Sequence, residues 1–303
     1  MLTTLLVVLM GSFSLDVFAN EFWKKDYSRI DSLAKKVKPR NNIEKLTNNL
    51  TEYCTSDLEK YRSIFTWVAH NIEYDVEALR KPALRETDPQ KIIKRGKAVC
   101  AGYSRLFQAL CQQANLPCVI VTGWAKDYYT IGKPLGKMDH DWNAIQVDGE
   151  WYLCDPTWGA GGTLDNIFTF NFQDFYFCTP PDLFSYDHFP ADKQWFLGGK
   201  VSEKRFVNYP FFYASAVQMS IRELSPDDGI LKFKKGDVID FKFKSDIPID
   251  RVSIKPSTAK ISEEVKAETK DGYVEFHYEM KTYSPYLHIY LNSKGALRYK
   301  MTK

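Results

Sequence analysis

Three residues offer, in chain order, the side chains of a covalent acyl-transfer site: a thiol at Cys100, an imidazole at His140 and a carboxylate at Asp155. In such a site a thiolate attacks a carbonyl, an imidazole moves protons, and a carboxylate orients the imidazole. Cys100 follows a chain break at Gly96 and precedes Tyr103, Leu106, Phe107, Leu110, Cys111 and Ala114, which share one face of a helix that must end before Pro117. The cysteine therefore belongs to the first turn, where unpaired N–H groups and the positive end of the helix dipole favour a thiolate. Cys111 lies in the apolar stripe and reads as core. From this helix alone Cys100 reads equally well as a packed thiol, and its partners must decide.

Two short strand patterns flank Asp148-Gly149, a two-residue hairpin signal. With that turn, Val147 faces Glu150, Trp142 falls opposite Asp155, and His140 falls opposite Thr157. All four of His140, Trp142, Asp155 and Thr157 then point to one face, with His140 and Asp155 as diagonal neighbours about 7 to 8 Å apart at Cα. A slip of one residue would send the imidazole and carboxylate to opposite faces. Asp139-His140-Asp141 also carries metal donors, but adjacent strand residues alternate faces and no C-x-x-C or H-E-x-x-H spacing occurs, so no metal is expected. His70, His188, His277 and His288 have no comparable setting. With no Gly-rich phosphate loop and no Gly-x-Ser-x-Gly elbow, no cofactor is expected either.

The elements that must position these groups follow from the rest of the chain. Helical spacing runs over Tyr27 to Val37, over Ile43 to Cys54, and from a Ser56 cap through Leu58, Tyr61, Ile64, Phe65 and Val68. Trp67, His70 and Tyr74 read as core and rim. Pro89 to Arg95 is a short helical turn, Cys118 to Trp124 a strand, Ala125 to Asp139 a loop and Gly159 to Gly162 a flexible exit. Phe168 to Tyr186 is dense in aromatics, as a packed lid or seam would be. Trp124, Trp142 and Trp158 are candidates to line a substrate groove. From about Arg205 short alternating runs separated by Asp-Gly and Lys-Gly turns predict a β-sandwich resembling immunoglobulin-type modules, with no catalytic grouping of its own.

A formal charge of +3 from 41 basic and 38 acidic residues creates no strong field, so no nucleic-acid or acidic-membrane partner is expected. Leu5 to Met10 is an apolar run, and Val17-Phe18-Ala19 fits a signal-peptidase site, although no Lys or Arg precedes the run. The expectation is a signal peptide over residues 1–19, cleavage near Ala19, and export to a periplasmic or extracellular space. No later segment is long and apolar enough to span a bilayer. With Cys100 set aside, Cys54, Cys111, Cys118, Cys154 and Cys178 are an odd number, and most read as buried thiols; a pair among them is not assignable from sequence.

Ala98-Val99-Cys100-Ala101-Gly102-Tyr103, His140-Asp141-Trp142-Asn143 and Trp151-Tyr152-Leu153-Cys154-Asp155-Pro156-Thr157-Trp158 resemble the three core blocks of the transglutaminase-like superfamily. The segment Glu59-Lys60 to Tyr74-Asp75 is similar to the branch containing kyphoscoliosis peptidase. The resemblance covers about residues 46–162. It implies an α+β, papain-like core in which a cysteine helix packs on an antiparallel sheet, within a catalytic domain over residues 20–204 that is followed by the accessory sandwich over 205–303. It further implies Cys100 as nucleophile, His140 as general acid/base and Asp155 as orienter. The expected activity is cysteine hydrolysis or acyl transfer on protein or peptide amide bonds, hydrolysis favoured over crosslinking. No acidic loop resembles the calcium sites of animal transglutaminases. The alternative is a binding or scaffold protein that keeps the fold without the chemistry.

Overall fold

The computed structural model describes residues 22–39, 41–199 and 201–303. The expected leader over residues 1–19 lies outside them. No helix among the described residues is long and apolar enough to cross a membrane.

Three helices come first: α1 (Ser28–Lys36), α2 (Ile43–Thr51) and α3 (Asp57–Asn71). The Ser56 hydroxyl caps α3 by accepting from the Glu59 N–H at 3.3 Å, as its sequence signals. Glu59 reaches back to the Thr55 N–H at 2.8 Å, one residue before the position a capping box uses. Tyr61, Ile64, Phe65, Trp67 and Val68 are all buried, because α3 packs against the other helices and the sheet together. A parallel bridge then joins β1 (Glu73–Tyr74) to β2 (Lys97–Ala98), with α4 (Val76–Arg80) and α5 (Pro89–Arg95) between them. Gly96 ends α5 at a φ of 69°, a left-handed conformation that glycine adopts without penalty. The bridge feeds α6 (Cys100–Gln113), which buries Tyr103, Leu106, Phe107, Leu110 and Cys111.

The central sheet uses β3 (Cys118–Ala125), β4 (His140–Val147), β5 (Glu150–Cys154), β8 (Phe177–Thr179) and β9 (His188–Pro190), in the antiparallel order β8-β5-β4-β3-β9. Asp148 and Gly149 both have positive φ, 52° and 86°, the requirement of the expected turn. Val147 pairs with Glu150 and the register holds as far as Asn143 with Cys154. There it departs from the expectation. Pro156 has no N–H for the ladder, and the chain turns into the short helix α7 (Pro156–Ala160), so Thr157 is helical and does not pair with His140. The anticipated flexible exit at Gly159 to Gly162 is instead the end of α7 and the start of a hairpin, β6 (Gly161–Leu164) with β7 (Ile167–Phe170). A four-residue helix, α8 (Pro181–Phe184), precedes β9.

Beyond these, α9 (Glu203–Asn208), β10 (Phe211–Phe212) and α10 (Ala214–Gln218) lead into two sheets. One contains β11 (Arg222–Ser225), β13 (Val238–Lys244), β16 (Ala267–Lys270) and β17 (Tyr273–Glu279). The other contains β10, β12 (Ile230–Lys232), β14 (Val252–Pro256), β15 (Glu263–Val265), β18 (Tyr286–Leu291) and β19 (Lys294–Thr302). Phe241 of the first meets Tyr299 of the second edge-on at 5.4 Å, and both are buried. Their inward residues alternate with outward polar ones, as along Tyr273–Glu279. This β-rich region docks on the preceding one. Tyr186 stacks on Phe212 with ring centroids 4.0 Å apart, and the buried Lys126 donates to the carbonyls of Phe206 and Tyr209 at 2.5 and 2.6 Å.

Candidate active site

Cys100 is the first residue of α6, preceded by Val99 in extended backbone at the N-cap. Valine has no side-chain oxygen to cap with, so the helix end presents backbone N–H groups beside the thiol. Burial of Tyr103, Leu106 and Phe107 anchors the helix and holds Cys100, itself half-buried, at its mouth. The Cys100 sulfur lies 3.8 Å from the carbonyl oxygen of Asp139, a long contact to the residue before His140, and within interaction range of the His140 imidazole.

His140 opens β4 and its Nε2 is 2.7 Å from Asp155 Oδ2. Asp155 is fully buried at the end of β5, where it caps α7: its Oδ1 accepts from the N–H groups of Thr157 at 2.8 Å and Trp158 at 3.1 Å. The departure from the strand register thus serves the site, since the N-terminus of α7 orients the carboxylate while His140 takes its other oxygen. Burial opposes the ionised carboxylate, but the charge and hydrogen bond of His140, with those of His188, outweigh it and hold Asp155 below the usual carboxylate range. Burial likewise opposes a charged His140, and Asp155 overcomes it with help from Cys100, raising His140 well above the usual histidine range. With Nε2–H committed to Asp155, the Nδ1 nitrogen is the one left for Cys100.

His188, which its sequence neighbours gave no reason to single out, is in the same cluster. Its Nε2 is 3.0 Å from Asp155 Oδ2 and its Nδ1 is 2.6 Å from Asp187 Oδ1, with Asp187 Oδ2 accepting from the Tyr176 hydroxyl at 2.9 Å. The available signal was an Asp187-His188 pair set among the aromatic residues Phe184, Tyr186 and Phe189. His140, Asp155 and His188 bring three ligand-type atoms within 4.8 Å of one another. Both Nε2 atoms, however, sit at hydrogen-bonding distance from one carboxylate oxygen, an arrangement in which each N–H is already directed at Asp155.

The tryptophans divide. Trp142 is fully buried behind the site, its ring 6.0 Å from His140 and 5.1 Å from His188, so it supports the imidazoles rather than lining open space. Trp158 is half-buried, 5.6 Å from the His140 ring, and forms a wall of a cleft of about 670 Å³ with Tyr128, Tyr129, Tyr176 and Tyr213. Trp124 lies on the other side, its Nε1 donating to the Gly136 carbonyl at 2.9 Å, in a smaller hollow that includes Asp139.

Residues 44–156 match the model of the transglutaminase-like superfamily. The chain is 34% identical over 215 residues to mouse kyphoscoliosis peptidase, covering 69% of this chain and 32% of that protein, and 32% identical over 232 residues to the human protein, covering 75% and 34%. The chain carries a transglutaminase-like domain of the kyphoscoliosis peptidase-like branch. Cys100, His140 and Asp155 all fall within the matched transglutaminase-like region. The chain spans about a third of the length of these relatives. A crystal structure of a TGase is similar at a TM-score of 0.29 and 21% identity, over 46% of this chain and 35% of that one.

Proposed function

We propose that the chain is a cysteine acyl-transfer enzyme acting on amide bonds of proteins or peptides, with hydrolysis favoured over crosslinking. The reading rests on the 2.7 Å bond between His140 and the buried Asp155, with the Cys100 sulfur in range of the same imidazole at a helix N-terminus. His140 takes the thiol proton, and Cys100 Sγ attacks the carbonyl carbon to form a tetrahedral oxyanion. The Cys100 backbone N–H is the candidate donor to that oxyanion. Collapse breaks the C–N bond, His140 gives its proton to the departing amine, and a thioester is left. Water then attacks the thioester, His140 accepts its proton, and the acid departs as the thiol is restored. A lysine amine in place of water would yield an isopeptide crosslink.

Asp155 keeps the imidazole in the Nε2–H tautomer and stabilises the imidazolium that forms at each transfer. The exposed leucine and aromatic groups of the Trp158 cleft, Leu164 and Tyr129, are suited to an extended polypeptide rather than a small polar substrate. Export after cleavage near Ala19 is part of the same reading.

An electrophilic thiol probe tests it on the folded chain. Rapid labelling of Cys100 near neutral pH, lost on unfolding and in His140→Ala, is expected. Labelling of native protein no faster than the denatured chain, or equal labelling of wild type and His140→Ala, would instead assign the fold to a binding or scaffold protein. Incorporation of a labelled amine into an acyl donor in preference to water would reverse the order of hydrolysis and crosslinking.

A further inference from the structure

We propose that His188 is a positioning residue of this site, held as an imidazolium between Asp155 and Asp187, where it clamps the Asp155 carboxylate that orients His140. The proposal rests on the acyl-transfer reading for its consequence and on the geometry for its existence. Both His188 ring nitrogens meet carboxylate oxygens, Nε2 at 3.0 Å from Asp155 and Nδ1 at 2.6 Å from Asp187. An ionised carboxylate only accepts, so each nitrogen must carry a hydrogen, and the ring carries a positive charge. Asp187 Oδ2 already accepts from the Tyr176 hydroxyl at 2.9 Å, so with His188 Nδ1 at its Oδ1 both carboxylate oxygens of Asp187 face donors.

The ring is fully buried. The groups that face it are Asp155 from the end of β5, Asp187 from its own segment, His140 from β4 with ring centroids 5.4 Å apart, and Tyr176 from the turn before β8. The rings of Phe184, Trp142 and Trp158 close the remaining sides, at 4.0, 5.1 and 4.7 Å between centroids. Rigid aromatic walls fix the imidazole, and the imidazole fixes Asp155 Oδ2 from a second direction. Two consequences follow for the chemistry. Asp155 stays ionised through the steps in which His140 is neutral, because a second cation remains beside it. Its geometry also does not depend on His140, which is free to exchange protons at Nδ1 without its partner swinging away.

The experiment measures the Cys100 alkylation rate against pH in wild type, His188→Gln and the double variant His188→Gln with Asp187→Asn. The single change removes a buried cation and leaves an amide oxygen facing Asp187. With a positive charge gone, every proton in the cluster is harder to remove, so the acid limb of the profile shifts to higher pH and the rate at pH 7 falls at least tenfold. In the double variant the introduced asparagine can donate to the glutamine oxygen while the glutamine amide donates to Asp155, so most of the rate returns. A folded His188→Gln protein with the wild-type rate and profile overturns the proposal, and does so while leaving the acyl-transfer reading intact if labelling still depends on His140. Loss of His140-dependent labelling in wild type itself would refute the acyl-transfer reading instead. If the variants fail to fold, nitrogen-15 spectra of the histidine rings in wild type decide the matter: a His188 ring protonated at both nitrogens at pH 7.5 is expected, and a neutral tautomer overturns the clamp.

Discussion

Replacing Asp155 by asparagine tests the core of the proposed mechanism, because the change is nearly isosteric and its effect is directional. The asparagine Oδ1 can still accept from the Thr157 and Trp158 N–H groups, so the cap of α7 survives. The amide NH2 then replaces the oxygen that lay 2.7 Å from His140 Nε2 and 3.0 Å from His188 Nε2, and donor faces donor. His140 relieves the conflict by shifting its proton to Nδ1, the nitrogen needed to receive the thiol proton. An unassisted thiol, with an ordinary pKa of about 8.5, is only about one part in 300 thiolate at pH 6. If His140 supplies the ionisation in wild type, Asp155→Asn should therefore lower Cys100 alkylation at pH 6 by up to about 300-fold, equivalent to about 3.4 kcal/mol. The measurement is the second-order rate with iodoacetamide, Cys100 being identified by peptide mass, on protein whose near-ultraviolet circular dichroism is unchanged. A native-like variant that labels at the wild-type rate at pH 6 would refute the tautomer argument.

Cys111 and Cys178 lie in the core with burial pushing both thiols well above the ordinary range, and burial raises half-buried Cys54 to about 11, so in native protein at pH 7 Cys100 should alkylate before all of them; quantitative mass spectrometry at short times checks the order. Gly123→Ala should destabilise the fold by about 2–3 kcal/mol, because a Cβ there would stand 2.2 Å from the Phe189 carbonyl and 2.8 Å from the Trp142 ring, prising β9 and His188 off β3; urea unfolding measures it. His140 and His188 have folded-state pKa values raised above their unfolded ones, so their contribution to stability is fully present below about pH 6.5 and is lost as pH rises through the raised values. Asp155 behaves oppositely: its depressed carboxyl contributes above about pH 4 and loses that contribution as pH falls toward its folded value. Urea midpoints from pH 4 to 9 should therefore decline on the alkaline side, and Asp155→Asn should flatten that decline.

Much of this molecule is legible residue by residue. The spacing of Tyr103, Leu106, Phe107 and Leu110 specifies the helix that carries Cys100, and Asp148-Gly149 specifies a turn whose two positive φ values few other pairs tolerate. Those are local facts, decided by the 3.6-residue period and by backbone sterics. The edge strands at Glu263–Val265 and Ala267–Lys270 escaped notice because exposed edges carry polar residues and lack the apolar alternation that betrays a strand.

Composition and order alone thus determined the thiol at a helix mouth, the hairpin, and the imidazole and carboxylate brought to meet across it. Only the tertiary structure decided how Asp155 is held. Its strand ends at Cys154, short of the Asp155 and Thr157 pairings that the register implied, its carboxylate caps α7, and His188 arrives from a strand 33 residues away to share its oxygen. No local pattern encodes that meeting. It depends on β9 pairing with the far edge of β3 and on aromatic rings closing around an imidazole whose charge is tolerated only where two carboxylates already wait.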